Sequence, residues 1–395
     1  MRGIVPAVLI HQISELLSAM GDERPFYSHF DLIAGTSTGA LLALALSAPI
    51  ERTRLKIEEN GPFPVYESTQ PTFWQRIRKA RVEATLIGTL PWGVDTASLE
   101  RLYRDHGRTI FPKSQGRIIS QIFVDKYDEE PLENFLRTTF GDIALSEAVV
   151  PTLIMAYDAE EGRPFSMSSS DSHDFLFWEA ARASSAAPTF FKPAYLHDRT
   201  LKRMVTLIDG GVVANNPSLY AYIEAKRLYP HAESYHILSL STASSDFSFK
   251  VSGAGTGVIG WIDPAKGAPI QKIYASAQMQ NVDQVAASIP ELTYTRIHTP
   301  LAEEYKLDET GANALNAMAK EARQIFNEHK QRIEAYATML AGRTNFDQLN
   351  LGPVDAQRPA QGVTIPPPPQ RELSALSSLD SLLRRYQLSE TEVRP

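Results

Sequence analysis

Residues 35–39 read GTSTG, set between the run FDLIAG (30–35) and the run ALLALALSA (40–48). This stretch constrains the fold more than any other, because the chain must end a buried strand, reverse sharply and enter an apolar helix within five residues. Leu32 and Ile33 end the strand, and Ala40 to Leu46 begin the helix. Small residues at Gly35 and Gly39 let the backbone turn tightly and hold Ser37 out at the carboxyl end of the strand, the arrangement that makes a serine reactive in G-x-S-x-G turns. The following helix points its first N–H groups and the positive end of its dipole toward the same place. The motif alone also admits an inert serine in a glycine-rich turn.

Further apolar runs recur along the chain: SQIFVD (120–125), VPTLIMAYD (150–158), VTLIDGG (205–211) and SYHILSLST (234–242). Most are continuous rather than alternating, as expected of strands covered on both faces. Helical patterns such as LENFLRTTF and PSLYAYIEAKRLYP lie between them. This alternation predicts an α/β domain with a largely parallel central sheet flanked by helices in three layers. At the start, Ile4, Val8, Leu9, Ile13, Leu16, Leu17 and Met20 keep helical spacing, so IVPAVLI reads as part of an amphipathic helix rather than a secretory signal. Between 301 and 343, Leu315, Met318, Ala322, Ile325, Ile333 and Tyr336 predict inward-facing helical positions. The main domain is expected to span 1–345. Residues 346–395, with four consecutive prolines at Pro366–Pro369, read as a linker and tail, with Leu373, Leu376, Leu379, Leu383 and Tyr386 on one side of a short helix.

A serine hydroxyl attacks a carbonyl only when a base accepts its proton. The later histidines, His231, His236, His298 and His329, are possible partners in chain order, but none sits in an obvious post-strand loop of small residues. Asp209 has one: it closes the strand VTLID and is followed by Gly210 and Gly211. A carboxylate at a strand end, with two glycines allowing close approach, is well placed to meet a serine from a neighbouring strand. A turn-capping aspartate is the ordinary alternative.

GTSTG, DGG and the stretch ARASSAAPTFFKP (181–193) stand in the order found in patatin-like phospholipases, and FDLIAGTSTGALLAL, YRDHGRTIFP and IDGGVVANNPSLYAYIEA each resemble that family's patterns. The resemblance covers roughly residues 1–300. It implies a Ser–Asp dyad, with Ser37 as nucleophile and Asp209 as base, and hydrolysis of fatty-acyl esters through an acyl-enzyme. The implied substrates are phospholipids, lysophospholipids or other acyl lipids. No metal or cofactor is implied. In ARASSAAPTFF the small residues Ala183 to Ala187 suit a helix packed close to the catalytic strands and ended by Pro188, with electrostatic support from Arg182 as the alternative.

The family's oxyanion donors come from a glycine-rich loop, D-G-G-G-x-R-G, between its first strand and first helix. Here Met1-Arg2-Gly3 matches only the final x-R-G, so Arg2 and Gly3 read as the remnant of that loop. Two expectations follow: either the biological start lies upstream of an internal methionine, or the loop and a central strand are lost and a sheet edge is left unpaired. Leu240-Ser241-Thr242-Ala243 replaces a glycine-containing turn of the family, which predicts an altered local backbone.

A net charge of −7 weighs against nucleic-acid binding driven by overall positive charge, and the lack of cysteine excludes disulfides and thiolate chemistry and fits a reducing compartment. No stretch approaches the roughly 18 apolar residues of a membrane span. In FWQRIRKARVEATLIGTLPW (73–92), Phe73, Trp74, Leu86, Ile87, Leu90 and Trp92 lie beside Arg76, Arg78, Lys79 and Arg81, a pattern shared by interfacial segments and ordinary surface helices. The glycine-rich stretch 251–264 fits either a flap or a structural loop. The expected place is the cytoplasm, peripheral to the inner face of the membrane. Two other readings stay open: a lipid-binding protein without its oxyanion loop, and an esterase of the Ser-His-Asp type.

Overall fold

Ile4–Ala19 forms the first helix, α1, and its apolar face (Ile4, Val8, Leu9, Ile13 and Leu17) is buried, while Met20 just beyond it is exposed. In this computed structural model the described residues are 1–53, 55, 63–68, 84–91, 93–111, 127–171, 175–244 and 269–342, all within one compact unit, Met1–Val354. The strand before GTSTG is short, β1 (Ile33–Thr36), and the helix after it, α2 (Thr38–Ser47), is buried along nearly its whole length. A separate antiparallel pair follows, β2 (Phe63–Ser68) and β3 (Ala84–Leu90). Ala84–Leu90 is therefore a strand and not part of a surface helix, in keeping with its β-branched Thr85, Ile87 and Thr89. Residues 73–83 and 92, like 120–125, 251–264 and 346–395, lie outside the described residues.

Helices α3 (Thr96–Ile110) and α4 (Glu130–Phe140) lead to the centre of the molecule, β4 (Thr152–Asp158). Along β4 every side chain but that of Tyr157 is buried, which is why VPTLIMAYD lacks a polar face. Ile154 and Ala156 join the main core with α2, whereas Leu153 and Met155 pack on the opposite face with Ala214. Both faces are thus covered, and the domain is a three-layer α/β structure.

The sheet itself is mixed. β5 (Arg163–Ser168) returns antiparallel along one edge of β4, pairing with Leu153 to Asp158. Helix α5 (Phe177–Ser184) crosses the sheet, and β6 (Ala194–Asp198) pairs antiparallel with β7 (Arg203–Asp209). β1 lies parallel to β4 over Thr152–Met155, and β7 lies antiparallel to it over Ala156–Asp158. Because β5 occupies one edge of β4 throughout this length, β1 and β7 share the other edge. They run toward each other, and their carboxyl ends meet where Thr36 pairs with Met155 and Asp209 pairs with Ala156. Short connections explain the antiparallel ladders: β4–β5 and β6–β7 are each joined by four residues, too few for a parallel crossover.

After the short helix α6 (Gly211–Ala214) and α7 (Ser218–Leu228), a second parallel pair forms from β8 (Tyr235–Leu240) and β9 (Leu292–Ile297), with α8 (Pro269–Ser288) between them in sequence. The chain continues in α9 (Ala312–Glu328) and α10 (Lys330–Ala341), which bury Leu315, Met318, Ala322, Ile325, Ile333 and Tyr336. Among the described residues β1 pairs only with β4, and β8 only with β9. Both strands line one cavity of about 680 Å³. In the turn after β8, Ala243 takes φ 54°, and its N–H donates to the Ser241 hydroxyl at 3.0 Å.

The meeting of β1 and β7 leaves no room for side chains. A Cβ on Gly210 would stand 2.3 Å from the Met155 carbonyl oxygen, and one on Gly35 would stand 2.4 Å from that of Gly39. Since backbone rather than a flexible side chain is the obstacle, Gly210→Ala is expected to lower stability by about 1–3 kcal/mol. A denaturant titration with an unchanged m-value and an earlier midpoint is the readout.

Candidate active site

The strand ends carry the candidate residues. Ser37 follows the last residue of β1 and has φ 55° and ψ −124°, outside the regions that a non-glycine residue prefers. That backbone aims its hydroxyl at the end of β7, where the Ser37 Oγ donates to Asp209 Oδ2 at 2.6 Å. The second carboxylate oxygen, Oδ1, accepts the Gly211 N–H at 2.7 Å, and the Asp209 N–H donates to the Ala186 carbonyl at 3.0 Å. A Cβ at 211 would stand 3.1 Å from Asp209 Oδ1, a tight contact that the carboxylate would have to relieve by a small shift. Gly39 differs: open space lies where its side chain would project, so it leaves the surroundings of the serine clear.

Asp209 is only 6% exposed. Burial pushes its carboxyl up to about 6, against the opposing pull of the Ser37 and Gly211 hydrogen bonds. A group in this range is a competent proton acceptor at neutral pH. Among the described residues no hydrogen bond joins Ser37 or Asp209 to a histidine. His298 contacts the Ser241 hydroxyl at 2.9 Å, and His329 contacts Thr299 and the His298 carbonyl, both at 3.2 Å.

The remaining candidates sit around this pair. Arg2 lines the same cavity as Ser37 and Asp209. Gly3 lies against the ring of Tyr103, where a Cβ would stand 2.6 Å from ring carbons, and the Tyr103 hydroxyl donates to the Thr38 carbonyl at 2.8 Å. Gly3 thus bears on the first turn of α2 through one buried tyrosine. Arg182 is not at the site: its Nε donates to Glu133 at 3.2 Å and its Nη2 to the Lys192 carbonyl at 2.9 Å, which ties α5 to α4. Reading the sequence singles out neither Tyr103 nor the role of Ser184, whose hydroxyl accepts the Ser37 N–H at 2.8 Å and donates to the Met155 carbonyl at 2.6 Å. The run of small residues in ARASSAAP announces close packing but not this bond.

The cavity beside the pair is lined mostly by apolar side chains, among them Leu41, Leu42, Phe111, Phe190, Phe191 and Leu238. Its volume falls in the range of small-molecule sites. The arrangement supplies a serine bonded to a carboxylate, an adjacent helix N-terminus and an apolar chamber.

Burying Asp209 opposes folding wherever the carboxyl is ionised. Its folded value of about 6 stands above the ordinary 3.8, so the native state holds the proton more tightly than the unfolded chain. Stability from this group is complete below 3.8 and is lost as pH rises from there through about 6. The loss amounts to about 3 kcal/mol. Asp209→Asn keeps both bonding positions without the charge. Denaturant titrations are therefore expected to show the Asp209→Asn variant as more stable than the parent at pH 8 by up to that amount, and equal to it near pH 3.

A family model for patatin-like phospholipase matches residues 1–222. Patatin-like protein 2 of Oryza sativa subsp. indica is 25% identical over 391 residues, covering 88% of this chain and 87% of that one. Patatin-like protein 2 of Arabidopsis thaliana is 25% identical over 364 residues, covering 84% and 82%. Patatin group D-2 of Solanum tuberosum is 26% identical over 238 residues, covering 58% of this chain and 51% of the potato protein. Among solved structures, VipD from Legionella pneumophila aligns with a TM-score of 0.26 and 11% identity, covering 83% of this chain and 65% of that one. With more than half its length matched by the family model, this chain belongs to the patatin-like phospholipase family.

Proposed function

We propose that this protein hydrolyses fatty-acyl esters of lipids, as a phospholipase A or lysophospholipase, through an acyl-enzyme on Ser37. Family membership supports lipid acyl hydrolysis in general. The observation that carries the finer reading is the 2.6 Å hydrogen bond from Ser37 Oγ to a buried Asp209 beside an apolar cavity. In the first step Ser37 Oγ attacks the ester carbonyl while its proton passes to Asp209 Oδ2. The tetrahedral oxyanion collapses, the alcohol leaves with that proton, and the acyl group stays on Ser37. A water then gives one proton to Asp209 and attacks the acyl-enzyme. As this second tetrahedral intermediate collapses the proton passes to Ser37 Oγ, releasing fatty acid and restoring the pair.

The developing oxyanion needs donors. The Ser37 N–H is engaged by Ser184, so it is not one of them. The amide of the residue after the nucleophile, Thr38, opens helix α2 and serves this role in other serine elbows. The cavity's apolar lining suits the acyl chain, and the substrate is one presented in membranes or micelles. Among the described residues no helix is long and apolar enough to cross a membrane.

Release of free fatty acid from mixed phospholipid and lysophospholipid vesicles tests the reading. Turnover should vanish in Ser37→Ala and Asp209→Ala, and survive substitution of each of His231, His236, His298 and His329. Binding to vesicles without turnover in a folded wild-type protein would sink it. Because the base must be ionised, kcat/KM should fall about tenfold per unit as pH drops below about 6.

A further inference from the structure

Ser184 is wholly buried, at 0% exposure, at the end of α5. Its hydroxyl bonds two backbone groups from separate segments: it accepts from the Ser37 N–H at 2.8 Å and donates to the Met155 carbonyl at 2.6 Å. Met155 is the β4 residue paired with Thr36, and its neighbour Ala156 is paired with Asp209. The Met155 carbonyl also abuts Gly210. One hydroxyl therefore ties the backbone of the serine to the β4 carbonyl that lies against Gly210, the residue after Asp209. Two residues later in the same segment, the Ala186 carbonyl accepts the Asp209 N–H at 3.0 Å.

We propose that Ser184 is a positioning residue that sets Ser37 Oγ against Asp209 Oδ2 by clamping the Ser37 amide to β4. The inference rests on the hydrolase reading above. Without the clamp, the Ser37 N–H and the Met155 carbonyl lose their shared partner in a closed space, and the strained backbone at Ser37 relaxes away from the end of β7. Small displacements of a reacting group from its productive geometry cost on the order of 10²-fold in rate. The clamp touches neither substrate nor the reacting atoms, so substrate binding stays the same.

A merely structural role would leave one signature untouched. The hydrogen bond from Ser37 holds the Asp209 carboxyl down, so displacing the serine raises it, and the acid limb of the pH–rate profile moves to higher pH. Ser184→Ala and Ser184→Cys are compared with the parent by vesicle turnover and by the pH dependence of Ser37 labelling with a fluorophosphonate, folding being checked by thermal unfolding. The expected result is kcat falling on the order of 10–10²-fold in Ser184→Ala and less in Ser184→Cys, with KM unchanged and the acid limb moved upward. If Ser184→Ala does not fold, Ser184→Cys carries the same comparison. Parental kcat and acid limb in a folded variant overturn the proposal, as does a loss of kcat with the acid limb unmoved. A parent that labels but does not turn over lipid sinks the hydrolase reading instead, and the labelling profiles still decide the role of Ser184.

Discussion

Two strands meeting end to end on one edge of β4 are the arrangement on which the rest of the site depends. β1 runs parallel to β4 and β7 antiparallel to it, so the residues that follow or end them face each other across a single step of the ladder, from Met155 to Ala156. Backbone hydrogen bonds, rather than packing of long side chains, fix the separation of the two catalytic candidates. Such a frame has few soft degrees of freedom, since each strand is held by peptide groups of known length and direction. Its cost is steric. The glycines at 35 and 210 stand where main chain comes too close for a Cβ, a Cβ at 211 would crowd the Asp209 carboxylate, and Gly39 does not share that constraint.

In the proposed mechanism a buried carboxylate takes the place that a histidine fills in serine hydrolases of the triad type. An exposed aspartate is too weak a base to serve a serine at neutral pH. Desolvation corrects this at Asp209 by disfavouring its charged form, while the two hydrogen bonds it accepts limit how far the shift goes. The same burial makes the ionised site a liability for folding, an instance of the general tension between stability and activity. That liability is accepted where the surrounding sheet is densely packed: Ile154 and Ala156 of β4 and Leu207 of β7 are fully enclosed.

Much of this was legible from residue order alone. GTSTG and DGG each carry their own reason for being where they are, because a strand that ends in small residues has few alternatives to a sharp turn. The inward positions of α9 and α10 followed from helical spacing. The direction of the strands did not: the antiparallel course of β7 along β4 depends on short connections and on which edge of β4 is free, and neither shows in a run such as VTLID. Ser184 was hidden for another reason. In ARASSAAP a hydroxyl with a specific bond and a hydroxyl that is merely small look alike. Tyr103 was hidden by distance, since 65 residues separate it from the Thr38 carbonyl that it holds.

The serine is held in a conformation it does not prefer, and strain of this kind persists only where the surroundings overdetermine it. Three contacts do so here from three directions. Tyr103 holds the carbonyl of Thr38 just after the turn, Ser184 holds the amide of Ser37 within it, and Gly35 allows the chain before it to pass under the Gly39 carbonyl. With its own amide committed to Ser184, Ser37 keeps only its hydroxyl free to respond to a substrate, and that hydroxyl is directed at Asp209. The polar groups left to meet a developing negative charge then lie on the helix side of the turn rather than on the strand side. In the proposed mechanism the two electrical tasks are thereby separated: proton removal would face β7, and charge stabilisation the start of α2.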